Sequence, residues 1–226
     1  MSIADAEWLS RVVRWDGPVV GSLVPVQFPV VLRLRHPAYR EGPQGDITPL
    51  MWREAAPGTQ IGLLESFGNV VSDLDFANGP KTTGALWTAG PEQGTLPLDL
   101  AARLISTFAD VGSRSCALAV WLGFSDLDWV PLCRSDRANA RQYGVWRGTI
   151  SDAGTSLSSV HFQSPNIWWD ASGKWFVHSD VDRTDTFVAC THAVSEAVRD
   201  HVDGYECDAV AREDRLYPLD SKERKF

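Results

Sequence analysis

Apolar and polar residues follow two periods along this chain. Residues 5–15 place Trp8, Leu9, Val12 and Val13 on one side of a short amphipathic helix, which Gly17-Pro18 stops. Residues 26–35 switch to period two, with Val30, Leu32 and Leu34 alternating with Val31, Arg33 and Arg35. Pro29 predicts an edge strand or a start just after the proline. His36-Pro37 predicts the end, because the residue before a proline avoids the helical region. Residues 37–95 break into short apolar pieces between Gly-Pro and Pro-Gly pairs. A short helix is expected at 50–55, a strand or short helix at 61–67, and a mobile loop at 78–93.

The second half is easier to read. Residues 96–111 predict the main helix, with Pro97 in its first turn, Asp99 near its N-terminus and Gly112 at its stop. Its apolar stripe reads Leu98, Ala101, Ala102, Ile105 and Phe108. The run at 116–123, CALAVWLG, predicts a central strand buried on both faces. Further strands are expected at 143–150 and 158–162, with a short extended piece at 166–169. Asp170 to Gly173 suits a turn, and 174–181 pairs with 186–190 as a hairpin. Thr191 is placed to cap a helix running to about residue 202, and 205–210 is a last strand. These elements predict one α+β domain over residues 1–226. It has a mostly antiparallel sheet of six to eight strands, a few packed helices, a loop-rich 37–95 segment and a short charged tail at 211–226.

Composition narrows the functional classes. A net charge of −8 without a basic cluster argues against binding nucleic acid or an anionic membrane. No apolar run is long enough to span a bilayer, and the start MSIADAEWLSRVV lacks the apolar core of a secretory signal. Cys116, Cys133, Cys190 and Cys207 are scattered, with no C-x-x-C, so a reduced cytoplasmic setting is the expectation. Ten tryptophans make the chain tryptophan-rich, and some of these rings are expected at a groove or half-buried surface.

Three patches carry a resemblance. They are Leu34-Arg-His-Pro-Ala-Tyr39-Arg40, then Gly94-Thr-Leu-Pro97 leading through the helix to Ala119-Val-Trp-Leu-Gly-Phe124, then Ser164-Pro-Asn-Ile-Trp-Trp169 leading to Val177-His-Ser-Asp-Val-Asp182. In order and spacing the chain resembles a widespread family of uncharacterised actinobacterial cytoplasmic proteins over most of residues 30–210. The resemblance implies no activity. It matches Asp180 and Asp182 to acidic positions, and His178 departs from the pattern.

Candidate chemistry concentrates at 161–191. On a strand, Trp175, Val177, Ser179 and Val181 face one way. Phe176, His178, Asp180 and, if the strand continues, Asp182 face the other, with side chains roughly 7 Å apart. An imidazole in a row with two carboxylates makes His178, Asp180 and Asp182 candidates for a divalent cation or polar ligand, with His161 or Asp170 as a further group. A solvated sheet face whose acids approach Arg183 or Lys174 is the plainer alternative. Ser164, His161 and Asp170 would serve nucleophilic catalysis if assembled, but the chain has no G-x-S-x-G, H-E-x-x-H, phosphate-loop or dinucleotide motif. Trp168 and Trp169 point to opposite faces of a strand, so one is expected in the core and the other open to a ligand or partner.

The sequence therefore predicts a non-catalytic binding or protein-interaction domain without a cofactor. The alternative is a small-molecule or metal-dependent enzyme using the Asp180/Asp182 face.

Overall fold

A computed structural model describes residues 3–14, 17–63, 65–70, 74–75, 79–80, 87–129, 133–134 and 141–216. Helix α1 (Ile3–Val12) leads into strands β1 (Val30–Arg35), β2 (Ala38–Glu41) and β3 (Ile47–Leu50). Two single-turn helices, α2 (Trp52–Ala55) and α3 (Phe67–Val70), precede the short strands β4 (Leu74–Asp75) and β5 (Gly79–Pro80). The main helix α4 (Leu98–Asp110) is followed by β6 (Ser115–Trp121), β7 (Cys133–Arg134), β8 (Tyr143–Thr149), β9 (Ile167–Asp170), β10 (Trp175–Ser179) and β11 (Asp185–Cys190). Helix α5 (His192–His201) and β12 (Cys207–Ala209) complete the described elements.

The protein is α+β. Among the described residues the principal sheet has eight strands in the order β12-β1-β11-β10-β9-β6-β8-β7, and every pairing is antiparallel. Period two in the strands sorts their side chains into two cores. Leu32, Leu34, Leu118, Trp168, Trp175 and Val177 meet α4 and α5 on one face. Val31, Ile167, Trp169, Phe176 and Phe187 meet α1 and the 20–28 segment on the other. Cover on both faces explains why β6 reads as a near-continuous apolar run and why β9 to β11 are buried at every position, polar ones included. The Phe108 ring of α4 stacks on Trp175 of β10 at 4.1 Å and 5°, and each such ring contributes roughly 1.5–3 kcal/mol by burial.

Turn chemistry sets the hairpin register. Gly173 takes φ +75° between β9 and β10, and Thr191 accepts the Val194 amide at the start of α5, as its sequence position predicts. β1 starts directly after Pro29, with β12 outside it as the sheet edge.

Four local expectations differ from the fold. In α4 the buried stripe is Leu100, Ala101, Leu104, Thr107 and Phe108, while Leu98 is 55% exposed. The helix carries two adjacent apolar stripes, and the one holding both Leu104 and Phe108 meets the sheet. Residues 158–162 form no strand. The Ser156 hydroxyl bonds the Ser158 and His161 carbonyls, while those of Ser158 and Ser159 bond Asp126 and Asp128, which diverts the segment from a ladder. Residues 61–63, 65 and 66 are neither strand nor helix, and the Leu63 and Glu65 carbonyls accept from Arg33. Strand β10 ends at Ser179, so Asp182 lies in the turn.

Of the expected loop at 78–93, residues 78 and 81–86 lie outside the described residues, and so do 217–226 of the charged tail. Among the described residues no helix is long and apolar enough to cross a membrane.

Candidate ligand-binding cleft

Helical period places Ala4, Trp8 and Arg11 on one side of α1. That side looks across a cleft of about 420 Å³ toward the β9–β10 turn. Trp169, Asp170, Ala171 and Gly173 supply the turn side, Gln27 and Phe28 close one flank, and Asp5 and Arg147 close another. The volume falls in the range of small-molecule sites.

Two aromatic rings form the apolar wall. Trp8 and Trp169 have centroids 5.3 Å apart and planes tilted by 30°, and Phe176 backs both at 6.1 and 6.3 Å. Charged groups surround this wall in unequal states. Arg147 of β8 donates to Asp5 through Nε and Nη2, both at 2.7 Å, which ties helix to sheet and leaves Asp5 compensated. Asp170 accepts from the Ser172 hydroxyl and the Lys174 amide at 3.3 Å, but pairs with no cation among the described residues, since the Lys174 ammonium turns to the Val111 carbonyl. Arg11 is exposed and makes no ion pair among the described residues. Aromatic surface, one available guanidinium and one available carboxylate therefore converge.

The five residues singled out by sequence separate in space. Trp169 enters the cleft wall. Trp168 lies on the opposite face, fully buried against Phe108 and Trp175, while Trp169, 5% exposed, lines the cleft beneath α1. Helix α1 covers what a lone hairpin would leave open. His178 is fully buried, and its Nδ1–H donates to the Leu23 carbonyl at 2.8 Å. Burial holds its pKa below the ordinary histidine value.

Asp180 and Asp182 clamp Arg141. Nη1 bonds Asp180 at 2.7 Å, Nη2 bonds Asp182, and Asp180 Oδ1 also accepts the Asp182 amide at 2.9 Å. His178 and Asp180 are thus buried and Asp182 is exposed, and both carboxylates already pair with one guanidinium. Among the described residues no three His, Cys, Asp or Glu side chains are grouped to hold a metal.

The residues combined on paper as a catalytic set also lie apart. His161 pairs with Asp126 at 3.1 Å, and Asp170 belongs to the cleft. The buried Ser164 hydroxyl accepts the Leu96 amide at 2.8 Å and bonds Thr95 Oγ1. The thiols of Cys116 and Cys190 are pushed up to about 12, and that of Cys207 to about 11, by burial, which suppresses thiolate formation.

The patches behind the resemblance meet as scaffold. Asn166 donates to the Gly94 carbonyl at 2.6 Å and accepts the Trp121 amide at 2.8 Å, and the Gly94 amide bonds the Arg183 carbonyl at 3.1 Å. His36 bonds the Glu92 carbonyl and Thr186.

Sequence reasoning missed Asp5, Arg11 and Arg147; it placed Trp8 on the apolar side of the first helix, where the ring packs against the core and also lines the cleft. The helical spacing of Trp8 and Arg11 was a usable signal, but nothing local indicates that α1 packs over β9. No known protein family, curated protein or solved structure matches the chain.

Proposed function

We propose that the protein binds a small ligand in the cleft between α1 and the β9–β10 turn. The ligand has a flat apolar body that lies against Trp8 and Trp169, an acidic group that pairs with Arg11, and an N–H or O–H that donates to Asp170. The convergence of Trp8, Trp169 and Arg11 on one 420 Å³ space carries this reading. Aromatic walls bind planar ligands through contact area and ring electrostatics, and a guanidinium favours carboxylate-like anions.

The reading is a binding role rather than catalysis, within a soluble cytoplasmic protein of the actinobacterial kind that the chain resembles. The alternative, a small-molecule or metal-dependent enzyme using the Asp180/Asp182 face, is less favoured because Arg141 already pairs with both carboxylates. Mass spectrometry of the natively purified protein tests the proposal. A bound small acid that is absent from Trp8→Ala protein supports it, and a bound molecule retained unchanged by that variant contradicts it.

A further inference from the structure

A second cavity, of about 480 Å³, lies where α4 meets the 37–49 segment and the chain before β12. Pro37, Pro49 and Pro97 give it stiff apolar walls, and Leu98 and Ala102 extend them along α4. Its other residues are two tyrosine–carboxylate pairs. The Tyr39 hydroxyl donates to Glu92 Oε2 at 2.5 Å, and the Tyr205 hydroxyl donates to Asp99 Oδ2 at 2.6 Å.

These hydrogen bonds commit both phenolic protons. The four polar side chains of the cavity can then only accept hydrogen bonds, and they do so beside two aromatic rings. The two acids are not equivalent. Asp99 already has Arg103, whose Nε is 3.1 Å from Oδ2 and whose guanidinium lies 5.2 Å from the Tyr205 ring centroid. Glu92 is half-buried and forms no ion pair with a Lys, Arg or His among the described residues. Burial also holds its carboxyl above the usual range, a penalty that an arriving cation would relieve.

We propose that this cavity is a binding site for an organic cation of the protonated alkylamine class. The ammonium donates to Glu92 and lies against the tyrosine rings, and the alkyl part fills the proline-lined space. The site is separate from the Trp8 cleft and does not depend on the reading given to that cleft.

Calorimetry and amide chemical-shift titration with cyclohexylamine, which is protonated at neutral pH, test the proposal against its uncharged analogue cyclohexanol. Cyclohexylammonium is expected to bind at least about ten-fold more tightly than cyclohexanol, with shifts at Ala102 and Tyr205. Glu92→Gln is expected to remove that preference, weakening cyclohexylammonium far more than cyclohexanol. Leu98→Lys, at an exposed position that does not support the fold, is expected to weaken cyclohexylammonium by competing with its charge. Equal affinity for the two probes, an undiminished preference in folded Glu92→Gln or in Leu98→Lys, shifts confined to other surfaces, or no binding at millimolar probe would each overturn the assignment.

Discussion

Trp8, eight residues from the start of the sequence, packs 5.3 Å from Trp169 on β9. A ring that strand alternation directs away from one core thereby becomes the wall of a cleft. The bidentate contact of Arg147 to Asp5 anchors the same helix beside it. Wall and charges come from α1, β8, β9 and the turn after β9, so the site exists only when the helix is docked.

Asp185 is the charge centre of the sheet interior. Arg33 Nε lies 2.6 Å from Oδ2, and Arg183 reaches both oxygens at 2.7 Å. The two guanidiniums hold the carboxyl well below the usual range despite full burial. Asp185→Ala is expected to destabilise the protein by about 3–5 kcal/mol, because it strands two buried cations. Urea denaturation of the variant checks this, and a loss below 1 kcal/mol would show that the network relaxes into solvent.

His36 gives a pH signature. Burial lowers its pKa to about 4, while in the unfolded chain it returns to roughly 6.5. Between those values the unfolded state binds the proton and the folded state does not, so stability is complete above pH 6.5 and falls as pH drops. The loss approaches about 3 kcal/mol near pH 4. His178 is shifted in the same direction. Denaturation curves across pH 4–7 are expected to show a shallower slope for His36→Gln than for the wild type, and parallel slopes would reject the assignment.

Gly94 sits at φ +73°, and an added Cβ would lie 3.0 Å from the Val181 carbonyl oxygen. Gly94→Ala is expected to cost about 1–3 kcal/mol, from backbone strain together with that contact. A melting temperature equal to wild type would contradict the close approach of the 94–96 segment to the β10–β11 turn.

Arg141 fills the place between Asp180 and Asp182. Millimolar Mn²⁺ or Mg²⁺ is therefore expected to leave the wild-type melting temperature unchanged and to raise that of Arg141→Ala. A rise in the wild type alone would restore the two aspartates as a cation site.

The fold was legible wherever local pattern and burial agree. Gly173, Thr191 and the alternation of Trp175 to Ser179 place the hairpin and the α5 cap without tertiary information. The expectations at 158–162 and at 61–63 and 65–66 failed because other groups take the hydrogen bonds that a strand would need: nearby hydroxyls in the first, the Arg33 guanidinium in the second. The candidate site was half legible. Period two correctly divides Trp168 from Trp169, but exposure depends on what covers a face. Helix α1 lies over Trp169, the Leu23 carbonyl meets His178, and Arg141 closes the acidic pair. Those partners lie 39 to 161 residues away in sequence, where periodicity carries no information.

Calorimetric titration with indole-3-carboxylate, compared with 3-methylindole, tests the cleft most directly. The carboxylate is expected to bind more tightly, Trp8→Ala to weaken both probes, and Arg11→Gln to weaken only the carboxylate, by about five- to ten-fold. Equal binding of both probes to the wild type, or unchanged carboxylate affinity in folded Trp8→Ala and Arg11→Gln proteins, would contradict a ligand site between α1 and the β9–β10 turn.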